Sequence, residues 1–234
     1  MAYSAMVLGA TGNVGGRIVR LLVCSPECSR VLIVTRRKTN AFTDPKVSEL
    51  VVNMDRLEEE VAPHARGVDI ALAAIGVGKG SAKMSDADVR TIEVVYPQAF
   101  CRAARSGGVR VCGVMTAMGA DPKSGMRYAR IIGEKEQAVE SLGFDFLGLY
   151  RPAVILGNSN TPGYLSVVMP LLHWAMPSKY HSIHKNDLAR AMVAQSELAL
   201  RALEQTAPPV SPVVMRLGYD EMKPFFVKGE SDEP

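Results

Sequence analysis

The 234-residue chain lacks the marks of several large protein classes. Its four cysteines, Cys24, Cys28, Cys101 and Cys112, show neither C-x-x-C spacing nor a histidine partner pattern, which argues against a metal centre and fits a reduced compartment. Lys and Arg number 27 against 24 Asp and Glu, a formal charge of +3, and no run of five like charges occurs. Nucleic acid is therefore not an expected partner. The N-terminus has no basic segment followed by a long apolar one, so no cleavable secretory leader is expected. The apolar stretch from Tyr164 to Met176 falls short of the roughly 18 residues that span a bilayer, so no membrane span is expected. No tandem repeat is present. With 47% apolar and 22% charged residues, the composition is that of an ordinary globular protein. One α/β unit over 1–234 is expected, in the cytoplasm, with organelle association left open.

What is present begins at once. The run Tyr3-Ser4-Ala5-Met6-Val7-Leu8 ends in Gly9-Ala10-Thr11-Gly12-Asn13-Val14-Gly15-Gly16 and passes into a helical pattern from Arg17 to Val23. The spacing G-x-x-G-x-x-G after a strand and before a helix reads as a cradle for a nucleotide diphosphate. Gly9 permits the tight turn, Gly12 lets backbone N–H groups approach a pyrophosphate, and Gly15 lets the helix pack closely. Thr11, Gly12, Asn13 and Val14 stand at the positive end of the helix, which favours an anion. Val14, Ile18, Leu21 and Leu22 supply the apolar stripe that docks on a sheet. The bland alternative is a glycine turn with no ligand.

A second strand, Val31 to Thr35, is continuous and β-branched, as in a strand buried on both faces. It ends on Arg36-Arg37-Lys38, with no acid. In dinucleotide folds a carboxylate here accepts from the 2′-hydroxyl of NAD, whereas arginine accommodates the 2′-phosphate of NADP. The cofactor expected is therefore NADP(H) in preference to NAD(H), with Arg36 and Arg37 as clamps; a solvated basic loop is the alternative.

Further strands are expected at Glu49–Asp55, Asp69–Gly76, Val109–Thr116 and Phe144–Tyr150. Asn53 and Met54 then face the adenine, and small Ala74, Ile75 and Gly76 let the dinucleotide lie close above. Gly76 to Ser85 covers cofactor or substrate, or is a surface loop. A long helix is expected over Asp86–Arg105, bent at Pro97, with Val89, Ile92, Tyr96, Ala99 and Ala103 on one face. Another runs from Gly125 or Met126 to Leu142, with Tyr128, Ile131, Ile132, Lys135, Val139 and Leu142 along one stripe. A final helix opens near His184, capped by Asn186 or Asp187. His173, His181 and His184 read as structural. The alternation predicts a Rossmann-like, doubly wound parallel sheet, order 3-2-1-4-5-6, helices on both faces, and a small C-terminal region over 157–234 serving as lid, substrate or interface region.

Gly9-Ala10-Thr11-Gly12 with Gly15, Arg36-Arg37, Ala74-Ile75-Gly76, the Tyr128 helix and Arg151-Pro152-Ala153-Val154-Ile155-Leu156-Gly157 together resemble the atypical, extended short-chain dehydrogenase/reductases, within them the NAD(P)H-binding, NmrA-like group. The resemblance implies a nicotinamide dinucleotide as ligand, oxidoreductase descent, Tyr128 and Thr116 as catalytic candidates, and Tyr128 and Pro152 beside the cofactor. The family reaction uses Tyr-x-x-x-Lys, in which the lysine lowers the phenol's pKa. Here position i+4 from Tyr128 is Ile132, and none of the seven tyrosines has such a lysine. Ile132 reads as ordinary core, Tyr128 as a phenol near its reference pKa of about 10, and Lys135 as too far along the helix, about 10 Å, to serve. The expected protein is an NADP(H)-binding oxidoreductase with an altered active site, or a non-catalytic NADP(H)-dependent sensor. Its further partner is an unidentified small molecule or protein, and the chain acts as a monomer or homodimer.

Overall fold

The computed structural model describes residues 2–78, 83–157, 174, 176–205 and 211–226. Its centre is β1 (Tyr3–Leu8), buried at every position. Alternate side chains of β1 serve two separate cores, as the two-residue period of a strand requires. Tyr3, Ala5 and Val7 pack with Val14, Ile18 and Leu22 of α1 (Asn13–Cys24) and with Leu188, Met192 and Leu200 of α6 (Lys185–Gln205). Met6 and Leu8 pack on the opposite face with Leu57 and Val61 of α2 (Leu57–Val61), Phe100 and Ala103 of α4 (Tyr96–Ser106), and Val139 of α5 (Arg127–Glu140).

The other strands are β2 (Cys28–Thr35), β3 (Val47–Val51), β4 (Ile70–Ala73), β5 (Val111–Met115), β6 (Phe146–Tyr150) and β9 (Val213–Leu217). They form a seven-stranded sheet in the order β3-β2-β1-β4-β5-β6-β9, and every neighbouring pair is parallel. The expected order of six strands is thus present, with helices on both faces. β9 is an addition to the six expected strands: it lies at the sheet edge and is largely exposed, so it carries no buried apolar run to mark it. Two further short strands, β7 (Ile155–Leu156) and β8 (Ile183–His184), pair in parallel. Within the C-terminal region, β9 extends the main sheet and α6 packs against one face of it.

Other departures have local causes. β3 stops at Val51, and Asn53 accepts the Asp55 N–H at 3.0 Å to cap a 3₁₀ turn over Met54–Arg56. The fourth strand is shorter than expected and ends at Ala73. The long helix does not simply bend at Pro97. α3 (Asp86–Arg90) passes into a π-helical turn over Thr91–Val95 before α4, which places Pro97 in the first turn of α4, where its missing N–H is tolerated. α6 begins at Lys185, so Asn186 and Asp187 lie inside its first turn rather than at its cap. The Asn186 Oδ1 accepts from Arg17 Nε at 2.6 Å, which ties α6 to α1. The stretch Asn158 to His173, most of the apolar segment, and 206–210 with 227–234 fall outside the described residues, as do 79–82 within the expected covering loop.

Candidate functional site

The glycine turn is shaped by close backbone approach. Gly9 has φ +88°, and a Cβ there would lie 2.6 Å from the Ala74 carbonyl oxygen. A Cβ on Gly15 would overlap the Gly9 carbonyl, and one on Gly12 would lie 3.2 Å from it. Gly15 therefore seats the helix on the turn itself, not only on the sheet. Gly12 caps α1 with no side chain, and the first turn holds no acid, so no carboxylate offsets the positive helix end. A cavity of about 440 Å³ opens beside it, lined by Ala10, Thr11, Gly12, Asn13, Arg17, Arg20, Phe42, Gly157 and Lys185 among others. Three cations among the described residues, Arg17, Arg20 and Lys185, thus line the cavity at the helix start, and none of them is among the sequence-predicted binding residues. Val14 is buried in the core beneath. The His184 ring lies directly against Gly157 at the cavity's edge, a packing role.

Arg36 and Arg37 follow β2 and are exposed, outside the lining of that cavity. Asn53 is exposed, with its Oδ1 engaged in the local cap. Met54 lines a different groove, about 580 Å³, between α2 and α4, together with Leu57, Thr91, Tyr96 and Ala99.

Ala74, Ile75 and Gly76 connect the turn to a second cluster. Ala74 lies under Gly9, the Ile75 carbonyl is 3.5 Å from Lys135 Nζ, and a Cβ on Gly76 would lie 3.1 Å from Glu93 Oε1. Glu93, from the π turn, and Lys135, from α5, form a buried ion pair at 2.9 Å with both side chains 2% exposed. Lys135 also donates to the Met115 carbonyl at 3.0 Å. The other carboxylate oxygen of Glu93 accepts the Val77 N–H at 3.0 Å and the Tyr128 hydroxyl at 3.3 Å. Tyr128 itself is 43% exposed, so its ring stands at the mouth of this buried group. Burial, then the charge and hydrogen bond of Glu93, push the Tyr128 phenol well above the ordinary tyrosine range. The expectation of an ordinary phenol is corrected: burial and the Glu93 carboxylate beside the hydroxyl raise it, while the i+4 position is filled by Ile132. Lys135, judged too distant along its own helix, reaches Tyr128 through Glu93. Ile132 is core, 1% exposed. Thr116 is buried, donates its hydroxyl to the Tyr150 carbonyl at 3.1 Å, and lies near Pro152, whose carbonyl accepts the Met118 N–H at 2.9 Å.

Glu93 is the residue that the sequence reading missed. Its signal was an acid four residues after Val89 and three before Tyr96, on the face otherwise read as apolar. Among the described residues no group of three or more His, Cys, Asp or Glu could hold a metal, and no helix is long and apolar enough to cross a membrane.

A turn closed by glycines, a bare helix start over a cation-lined cavity and a parallel sheet in this order define a dinucleotide-binding α/β protein. The chain belongs to the NAD(P)H-binding family, whose model matches residues 9–197. Protein HTATIP2 of Rattus norvegicus is 30% identical over 155 residues, 65% of this chain and 63% of that protein. The mitochondrial protein fmp52 of Aspergillus fumigatus is 26% identical over 230 residues, 95% of this chain and 97% of its own. In fold, the chain resembles MoeE5 in complex with UDP-glucose and NAD (TM-score 0.64, 14% identity, 94% of this chain and 79% of that one). It also resembles a short chain dehydrogenase from Burkholderia cenocepacia in complex with NADP (TM-score 0.61, 14% identity, 95% and 90%).

Proposed function

We propose that the protein binds NADP(H) in preference to NAD(H) across the C-terminal ends of β1, β2 and β4. In this reading it is an oxidoreductase of the short-chain dehydrogenase/reductase superfamily with altered proton chemistry. The observation that carries the reading is the glycine-built start of α1, where added Cβ atoms at Gly9 and Gly15 would strike the backbone that closes the turn, and where the first helical turn carries no acid to oppose an anion. In this reading the amides after Gly12 hold the pyrophosphate, helped by Gly9, Thr11, Asn13, Val14 and Gly15. Arg36 and Arg37 take the 2′-phosphate, and Asn53 and Met54 approach the adenine side. Ala74, Ile75, Gly76 and Pro152 floor the nicotinamide half, where Tyr128 and Thr116 meet the substrate. A bound nicotinamide supplies hydride exchange; the protein supplies orientation and the proton. The single unit 1–234 keeps its lid or interface role around Gly157 and Lys185, which border the cavity. Free cysteines support a reducing compartment, and the mitochondrial names of the fungal relatives support the organelle branch of that expectation.

The test is nucleotide titration followed by melting. NADPH at about 100 times its dissociation constant stabilises by roughly 2.7 kcal/mol, a rise of about 5–11 °C for a chain of this size. NADH at the same concentration gives a clearly smaller rise; equal shifts remove the NADP preference, and no shift with either removes the reading.

A second reading has its own support. Ile132 fills the lysine position as core, and the phenol is held protonated, which favours a non-catalytic NADP(H)-dependent sensor working through a protein partner. A panel of aldehydes, ketones and alcohols separates the two: turnover lost in Tyr128→Phe establishes the enzyme, and binding without turnover establishes the sensor.

A further inference from the structure

Resting on the enzymatic reading above, we propose that Tyr128, Glu93 and Lys135 form a proton relay in place of the family's tyrosine-lysine pair. Glu93 is the group that takes and returns the proton, and Lys135 is the positioning residue that holds it. The geometry is specific. The Tyr128 hydroxyl donates inward to Glu93 Oε1, so its lone pairs face outward, toward any hydroxyl docked at the exposed ring. Glu93 Oε2 is committed to Lys135, and Lys135 Nζ is held in turn by the carbonyls of Met115 and Ile75. The carboxylate is reached from outside through the phenol. The three residues come from two elements that pack together, the π turn, which carries Glu93, and α5, which carries Tyr128 and Lys135.

The step balances as two coupled transfers. As the substrate hydroxyl loses its proton to the phenolic oxygen, the phenolic proton passes to Glu93 Oε1. One O–H bond breaks and one forms at each transfer, the phenol ends neutral, and the reverse sequence delivers a proton to a carbonyl oxygen. A bound oxidised nicotinamide would supply the acceptor for the carbon-bound hydrogen and its electron pair. A lysine partner stabilises phenolate; a carboxylate partner disfavours it, so the tyrosine conducts a proton without resting as an anion. Among the described residues, the charged group that faces the phenol is Glu93 from the π turn, with Lys135 from α5 behind it.

The contact is tested first without substrate. In protein carrying carbon-13 at the tyrosine ζ position, the Tyr128 resonance is assigned by its loss in Tyr128→Phe and followed from pH 7 to 11.5. We expect no ionisation of Tyr128 in that range in the native chain, and an ionisation midpoint that enters the range in Glu93→Gln; a variant as silent as the native chain counts as unmoved. Because Glu93→Gln leaves Lys135 buried alone and can fail to fold, the same titration is run on Glu93→Gln/Lys135→Met, which removes both charges together. A Tyr128 titration unmoved in the variants overturns the proposal. The relay itself is then read with saturating NADP⁺ and a panel of secondary alcohols. The double variant and Tyr128→Phe each lose tenfold or more in kcat, with KM and the NADPH dissociation constant within twofold, and combining them costs nothing further. Multiplying losses, unchanged kcat, or a native chain that binds NADPH but oxidises nothing overturn it. Failure of the native chain to bind NADPH counts instead against the cofactor reading, and the phenol titration still reports on the contact.

Discussion

The two ends of the proposed groove are built from different materials. At the glycine turn the work is done by backbone: a positive φ at Gly9, a missing Cβ at Gly15, and a helix start with no capping side chain. At the Tyr128 end the work is done by side chains from separate elements, joined through one buried carboxylate. A backbone site is written in consecutive residues, because close approach demands glycine at fixed spacings. A side-chain site is written across the chain, here at positions 93, 128 and 135, and only packing brings its members together. The first is also hard to alter one atom at a time, whereas the second is open to change one side chain at a time.

The sharpest break of this contrast is Lys135→Met. It leaves Glu93 buried without its cation, and stripping one member of a buried pair costs about 3–5 kcal/mol, a fall of roughly 6–20 °C in melting temperature for a chain of this size. Glu93→Gln/Lys135→Met should recover most of that loss, since no lone charge remains. A Lys135→Met melting temperature equal to the native one would mean that water already reaches the pair.

Gly15→Ala tests the backbone end. One methyl directed into the Gly9 carbonyl should cost about 1–3 kcal/mol, as overpacking does, and should abolish NADPH binding by pushing the helix start away from the turn. Gly67→Ala is the control: φ is +70° there, but nothing lies within 4 Å of the new Cβ. It should cost about 1–2 kcal/mol through backbone strain and leave binding intact. Comparable binding losses at the two glycines would show that stability, not the cradle, sets affinity.

This contrast also sorts what was legible beforehand. The order of six strands followed from alternating buried runs, and the turn from glycine spacing. Ile132 was readable as core because an isoleucine in that stripe has no other use. Glu93 was not, because a single acid among Val89, Ile92 and Tyr96 looks like the edge of an apolar face, and helical periodicity assumes that no π turn shifts the register. Lys135 was seen but measured only along its own helix, where Tyr128 is indeed distant; the link crosses to another element. β9 escaped because an edge strand carries half the burial that marks a central one.

At the rim between the two ends, Arg36→Ser with Arg37→Ser addresses the cofactor's extra phosphate. Charge-assisted bonds contribute about 1.5–3 kcal/mol each, so NADPH affinity should fall tenfold or more while NADH affinity holds. Both side chains are exposed, and stability should stay within about 0.5 kcal/mol of native. A parallel loss for both nucleotides would move the specificity to Arg17, Arg20 and Lys185, which line the cavity itself.

The smallest expected effect compares Tyr128 with the scaffold tyrosines. Burial raises the phenols of Tyr3 and Tyr150 as well, Tyr3 also through its 2.5 Å hydrogen bond to Glu197. For each of these groups the folded state keeps the proton longer than the unfolded chain, which releases it near pH 10. Unfolding therefore releases protons in alkali, so the stability they contribute is whole below about pH 10 and declines as pH rises beyond it. Tyr128→Phe should remove one share of that decline and flatten the alkaline limb. At pH 10.5, half a unit above the unfolded pKa, its share is less than about 1 kcal/mol, and solvent screening at a ring 43% exposed reduces it further. Denaturant melts of the two proteins at pH 8 and 10.5 measure it. Equal declines would mean that Tyr128 ionises alike in folded and unfolded chains, and that Glu93 exerts no hold on it.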